Sequence, residues 1–173
     1  FNANGEVTAR KIANAAKNRC IGAHFGTYDY TASCDLIAAY QTMDSPVCDF
    51  ARDVMKVAFG GSKIFLSDGA TNIMPVAPHR GENLSAQQVR ENNQTVYRAW
   101  KLAYAHIRHS LASGFYQGWD LHPAQIPVRY AANAAFFLEQ IQESTLRLRN
   151  FVEQASKATL SGDIFDDAAT GQG

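Results

Sequence analysis

The first group of residues that could carry chemistry begins at Gly26 and continues through Thr27, Tyr28 and Asp29. Glycine lets the backbone turn tightly beside a ligand, exposed main-chain N–H groups bind anions, and a carboxylate offers the hard oxygen that Mg²⁺ prefers. The segment therefore predicts one half of a cation and carboxylate site. A competing interpretation, which the spacing alone favours, is that Asp29 caps a helix beginning near Thr31.

Two further groups follow predicted strands. Ser67 and Asp68 could face a ligand, although a plain turn explains the same residues and their neighbours. His122 precedes Pro123, and a histidine fixed in this way at a strand end can either hydrogen-bond a ligand or orient a loop. The spacing leaves these roles open.

A pair of histidines, His106 and His109, lies three residues apart on a predicted long helix. This spacing suits a metal, but the pair flanks the apolar stripe, with Arg108 between the histidines and no acidic residue nearby in the sequence. We therefore expect both histidines on a solvated face. The chain also lacks a GxSxG segment and a cysteine with a nucleophile signature, which argues against a covalent hydrolase.

The elements that must position these residues alternate between helix and strand. Apolar periodicity, caps and glycine or proline stops predict strands at residues 20–25, 63–66 and 115–121, with helices at residues 8–17, 46–59 and 85–113 and from residue 127 onwards. The inner face of the last helix is expected to carry Ala131, Ala134, Leu138, Ile141, Thr145, Leu148 and Val152. This alternation is typical of an α/β protein with a parallel sheet, whose ligands gather at the carboxyl ends of the strands. Three strands could belong to an open sheet or to a barrel.

Composition excludes several classes of function. The 173 residues are 46% hydrophobic and 18% charged, as expected of a folded domain, and 16 basic residues balance 16 acidic ones, which gives no field to gather nucleic acid. The apolar runs are too short to cross a membrane, and three widely spaced cysteines suggest reduced thiols in the cytoplasm. Because the chain begins with Phe1 and ends with Gly-Gln-Gly, we expect it to be truncated at both ends.

Residues 22–31 resemble a motif of the aldolase/citrate lyase family, which includes malyl-CoA lyase-like enzymes. In that family a strand ends in a Gly-x-x-Asp segment whose aspartate binds magnesium, while the preceding amides hold the carboxylate of a pyruvate- or glyoxylate-like group. The resemblance implies that Asp29 is a metal ligand and that Gly26, Thr27 and Tyr28 form the amide cradle.

Residues 118–126 resemble a later motif of the same family, a Gly-aromatic strand that runs into His-Pro-x-Gln. The match falls on Gly118, Trp119, His122, Pro123 and Gln125 and implies a position near the acyl or CoA entrance. The resemblance is to an uncharacterised branch of the family and covers nearly the whole chain. It implies an α/β fold that is part of a (β/α)8 barrel of the phosphoenolpyruvate/pyruvate-binding type. Residues 1–173 would then be the C-terminal part of a single lyase domain, containing strands six to eight and long outer helices.

The activity that this resemblance implies is a carbon–carbon lyase or aldolase that uses Mg²⁺, with Mn²⁺ as a substitute. Its substrate would be a 2-oxo acid or an acyl-CoA, cleaved or joined through an enolate. A second metal ligand and a catalytic arginine are expected upstream of Phe1, so we expect the fragment alone to be inactive and the complete protein to be a homo-oligomer. A phosphoenolpyruvate-related phosphoryl-transfer enzyme and a catalytically silent scaffold are the alternatives.

Overall fold

The structure is a computed structural model that describes residues 2–153 and two short strands at Thr159–Ser161 and Ile164–Asp166. The chain divides into two compact units, Phe1–Ala132 and Asn133–Gly173. The predicted site residues all lie in the first unit.

The first unit alternates helices with short strands, as the sequence pattern predicts. In chain order the elements are α1 (Thr8–Ala15), β1 (Gly22–His24), α2 (Thr27–Ser33), a 3-10 turn (Ala38–Tyr40), α3 (Pro46–Phe59), β2 (Phe65–Ser67), α4 (Ala86–Ala112), a 3-10 turn (Pro123–Gln125) and α5 (Ile126–Glu153), which continues into the second unit. In the second unit β3 (Thr159–Ser161) pairs antiparallel with β4 (Ile164–Asp166). No helix in the described part of the chain is both long and apolar enough to cross a bilayer.

The two longest helices of the first unit begin and end where local chemistry predicts. Pro46 occupies the start of α3, where its fixed φ suits a helix and its missing N–H costs nothing. Ser85 and Gln88 form the predicted capping box of α4, with each side chain bound to the other residue's main-chain N–H. Gly114 follows α4 with a φ of 76°, a conformation that glycine adopts without strain.

The strands of the first unit are parallel. Gly22 pairs with Phe65 and His24 with Ser67, and Ser67 also forms a parallel bridge with Gln117. Three segments therefore adjoin in chain order, which confirms the α/β class, while closure of the sheet into a barrel stays a prediction. The expected third strand is reduced to this bridge. Two residues further on, the Trp119 carbonyl accepts a hydrogen bond from the Arg129 guanidinium instead of continuing a strand.

The helices cover one face of this small sheet. Successive strand residues point to opposite faces, and Phe25 and Asp68 are buried on the face where α3 and α4 supply Arg52 and Ser110. The apolar core beneath them includes Cys48, Phe59, Ala99, Ala103, Ile107, Leu111 and Phe115. His24 is exposed and Phe65 is 52% exposed on the other face.

The predicted inner face of α5 is exposed. Leu138, Leu148 and Val152 are 65%, 53% and 68% exposed, and the buried residues of α5 are Val128 and Ala132 near its start. The prediction was wrong because apolar periodicity shows which face of a helix could be buried and does not show that this face is buried.

Candidate functional site

The first turn of α2 begins directly after β1. Gly26 is the residue before the helix, with φ −93° and ψ 88°, and no side chain caps this end. Since the helix begins at Thr27 rather than near Thr31, Asp29 is not its cap. Asp29 lies in the first turn, where a carboxylate interacts favourably with the helix dipole, and its side chain is exposed at the carboxyl end of β1.

The neighbouring side chains tie this turn to the loop after β2. The Tyr28 hydroxyl donates to the Ala70 carbonyl at 2.8 Å and accepts from the Asn72 N–H at 3.0 Å, and burial raises the pKa of Tyr28. Thr27 is 2% exposed and packs so closely on Gly69 that a Cβ there would overlap its hydroxyl. Their side chains are thus structural. Their main-chain N–H groups belong to the first turn of α2, where an N–H group has no helical carbonyl four residues earlier to bind.

Ser67 and Asp68 point in opposite directions. Ser67 Oγ lies 3.0 Å from His24 Nδ1 on the face that the helices leave open. Asp68 is 1% exposed, and its oxygens accept from the Arg52 guanidinium at 3.2 Å, from the Ser110 hydroxyl and from the Gly69 N–H. The expectation that Asp68 contacts substrate is therefore corrected, because its pleat position directs it into the helical layer.

Arg52 organises the polar interior of the first unit. It donates to the Met43 carbonyl at 2.8 Å and pairs with Asp49 as well as with Asp68. Burial alone would lower the pKa of Arg52, but the two carboxylates outweigh this effect and the pKa is raised. Its guanidinium also lies 5.8 Å from the centre of the Phe25 ring, within the range of a cation–π interaction.

The prediction that His106 and His109 lie on a solvated face was wrong for His106, while the His109 side chain is 37% exposed. His106 is 2% exposed, with Nδ1 3.0 Å from Thr71 Oγ1 and Nε2 3.2 Å from Thr42 Oγ1. Burial lowers the pKa of His106, although the charge of Asp44 opposes the shift. His109 Nε2 lies 2.7 Å from Asp49. Partners that are distant in the sequence supply the polar contacts, so local sequence on α4 could not reveal them.

His122 begins a short 3-10 turn. Its Nδ1 accepts the Ala124 N–H at 3.1 Å, and Pro123 occupies the first position of the turn. Gln125, which is 1% exposed, donates to the Thr71 carbonyl at 2.8 Å and accepts the Leu121 N–H at 2.8 Å. Of the two roles that sequence leaves open for His122, loop orientation is the one these contacts support. Its contact with substrate stays a prediction, as does that of Pro123.

Sequence reasoning missed His24 as a functional candidate. Besides its contact with Ser67, the His24 ring packs edge-on against Trp119, with ring centres 5.1 Å apart. The available signal was strand alternation, which directs His24 and Phe25 to opposite faces. Because Phe25 is apolar and expected in the core, this alternation predicts that His24 lies on the opposite face of the sheet.

A metal would find only part of a site among the described residues. Within residues 2–153 and the two short strands, no three His, Cys, Asp or Glu side chains gather to hold an ion. Mg²⁺ binds through one or two carboxylates with substrate and water oxygens. The exposed carboxylate of Asp29 fits one ligand of such a set, and the remaining protein ligands would have to come from outside the described residues.

A parallel sheet layered with helices, with polar side chains at the strand carboxyl ends, defines an α/β protein. The chain belongs to the family described as a domain of unknown function, DUF6986, which matches residues 1–173. A comparison with curated proteins gives no match.

The fold is similar to a solved structure, the crystal structure of a citrate lyase from Burkholderia xenovorans LB400. The TM-score is 0.63 at 19% sequence identity, and the alignment covers 95% of this chain and 46% of that chain. This chain therefore spans less than half the length of the matched structure. At this identity the likeness shows a shared fold.

Proposed function

We propose that this chain carries part of the active site of a carbon–carbon lyase or aldolase that depends on Mg²⁺ or Mn²⁺. Its substrate would be a 2-oxo acid or an acyl-CoA. The observation that carries the proposal is the citrate-lyase-like fold over 95% of the chain, together with an exposed aspartate at the carboxyl end of β1. Ligands of parallel α/β proteins gather at this end of the sheet.

The roles proposed for the residues follow from their positions. Asp29 would bind the metal through its exposed carboxylate, supplying charge and position. The main-chain N–H groups of Thr27 and Tyr28 would hold the substrate carboxylate, since they lie in the first turn of α2. Gly26 leaves room for that approach because the nearest non-neighbouring atom to a Cβ built there is an Asp29 oxygen at 3.6 Å. Once bound, the metal would act as a Lewis acid that stabilises the enolate.

Barrel closure belongs to the same proposal. Residues 1–173 would form the last three strand–helix units of a (β/α)8 lyase domain. The sheet face opposite α3 and α4 would then line the interior of the barrel. The second metal ligand and the arginine that polarises the substrate would come from strands outside these residues.

The test uses the complete protein and the variant Asp29→Asn. Release of pyruvate or glyoxylate from 3-hydroxyacyl-CoA and 4-hydroxy-2-oxo acid substrates is followed while Mg²⁺ is titrated. Asp29→Asn should raise the Mg²⁺ concentration for half-maximal activity at least about tenfold, since loss of even an outer-shell partner costs about 10- to 100-fold. The control is Asp53→Asn, an exposed aspartate on α3 that should behave as wild type.

Wild-type metal dependence and turnover in Asp29→Asn would refute the assignment of the ligand. A phosphoryl-transfer enzyme that acts on phosphoenolpyruvate would instead require a nucleotide. A silent scaffold would show neither turnover nor Mg²⁺ binding by calorimetry in the wild-type protein.

A further inference from the structure

Three side chains from three adjoining chain segments meet on one face of the sheet. His24 ends β1, Ser67 ends β2, and Trp119 follows the segment that bridges to Ser67. His24 Nδ1 lies 3.0 Å from Ser67 Oγ, and the rings of His24 and Trp119 contact edge to face at 5.1 Å with an interplanar angle of 76°. We call these three residues the His24 cluster.

The His24 cluster lies on the face that the helices leave open. Phe25 and Asp68, each one residue further along the chain, are buried on the opposite face at 5% and 1% exposure. Trp119 is 54% exposed although it contacts His24. In barrels of parallel strands, the side chains at the carboxyl ends of the strands are the ones that contact ligands.

Hydrogen bonding defines which ring nitrogen of His24 meets a ligand. Ser67 Oγ also lies 3.4 Å from the Asp68 carbonyl, to which its hydroxyl can donate. With its hydroxyl turned this way, the serine oxygen can accept an Nδ1 proton from His24, and in that tautomer Nε2 carries the free lone pair. Among the described residues Ser67 is the hydrogen-bond partner of this ring, so Nε2 is left for a ligand.

We propose that His24 contacts the substrate through Nε2 and accepts its hydroxyl proton when the carbon–carbon bond breaks. This inference rests on the proposed lyase function. The hydroxyl proton moves to Nε2, the hydroxyl carbon becomes a carbonyl, and the electron pair of the broken bond stays on the other fragment as an enolate. The imidazolium then returns the proton to the enolate carbon, so that no external acid or reductant is needed.

The neighbours of His24 have supporting roles. Ser67 holds the imidazole in the tautomer that can accept a proton, and Trp119 limits rotation of the ring by packing against it. Both are positioning residues with respect to proton transfer. Imidazole suits this task because histidine exchanges a proton close to neutral pH.

The kinetic test compares His24→Asn and Ser67→Ala with the control His79→Asn in the complete protein. His79 is a suitable control because it is also a histidine, lies in the loop before α4, and is half-buried in an ion pair with Glu91. His24→Asn should lower kcat/KM at least about 100-fold and remove the acidic limb of the pH–rate profile. Ser67→Ala should shift that limb with a smaller loss, and His79→Asn should leave the profile unchanged.

A wild-type pH profile and kcat/KM in His24→Asn, alongside an inactive Asp29→Asn, would overturn this inference and leave the lyase proposal standing. Folding is checked by thermal unfolding, and His24→Asn should melt as the wild type does because His24 is exposed.

A second measurement decides the matter without turnover. Histidine-selective NMR follows the ring resonances while pyruvate or glyoxylate is added with Mg²⁺, and the His24 signal is assigned by its absence from His24→Asn. We expect this signal to shift on binding and to change in Ser67→Ala. If the wild-type protein has no lyase activity, the proposed function fails. If the His24 signal does not change when pyruvate or glyoxylate is added with Mg²⁺, the proposed contact between His24 and the substrate is overturned as well.

Discussion

Replacing Arg52 by methionine should destabilise the first unit more than any surface change. Both Arg52 and its partner Asp68 are 1% exposed, and one guanidinium nitrogen lies 3.2 Å from each Asp68 oxygen. Of the donors in the described part of the chain, Arg52→Met leaves the buried Asp68 with the Ser110 hydroxyl and the Gly69 N–H. An uncompensated buried charge of this kind costs about 3–5 kcal/mol.

The reciprocal change separates charge from packing. Asp68→Asn keeps the shape and one acceptor oxygen, while Arg52 retains Asp49 and the Met43 carbonyl. We therefore expect a smaller loss, about 1–3 kcal/mol, close to that of a broken buried hydrogen bond. Combining both substitutions should cost clearly less than the sum of the two, because the second removes a group that the first has already left unpaired.

The assay is urea unfolding of the complete protein and of each variant. If the slope of the unfolding free energy against urea concentration is the same in all variants, shifts of the unfolding midpoint report changes in stability. The control is Arg98→Met, an exposed arginine on α4 that should stay within about 0.5 kcal/mol of wild type. A loss below about 1 kcal/mol in Arg52→Met would refute the reasoning, since it would mean that Asp68 is solvated or protonated without its partner.

Three further predictions concern the interior of the same unit. Burial lowers the pKa of His106, so below the ordinary histidine value of about 6.5 the unfolded chain binds the proton more readily than the folded protein does. The melting temperature should therefore fall as the pH drops from 7 to 5. His106→Gln should make the melting temperature less dependent on pH in this range. Burial raises the pKa of Cys48 to about 11, so in native protein at pH 8 mass spectrometry should find iodoacetamide on the half-buried Cys20 well before Cys48. Gly69→Ala should cost about 1–3 kcal/mol in thermal unfolding because its Cβ overlaps the Thr27 hydroxyl, and adding Thr27→Ala should recover part of that loss.

Local signals predicted the helices of the first unit well. The Ser85–Gln88 capping box places the start of α4 to within a residue, and Pro46 does the same for α3, although the Ser45 side chain makes no capping hydrogen bond. Parallel strand order was also predictable, since helix–strand alternation leaves few other connections.

The polar interior was not predictable in the same way. His106 owes its burial to Thr42 and Thr71, which are 64 and 35 residues away in the sequence. Asp68 is polar and follows a strand, which fits either a turn or a ligand contact. Arg52 on α3 and Ser110 on α4, which bind this carboxylate in the core, decide between the two.

That ion pair also bears on the candidate site. Ser67 and Asp68 are adjacent, so the interaction that holds Asp68 in the helical layer also fixes Ser67 on the open face opposite His24. A one-residue slip of β2 would exchange the two faces, burying the serine and removing the carboxylate from Arg52. The energy that resists this slip comes from a buried charge pair on the helix side of the sheet. The candidate site therefore depends on Arg52, a residue that contacts none of the His24 cluster in the described structure, and its loss should weaken the contact between Ser67 and His24 even in molecules that stay folded.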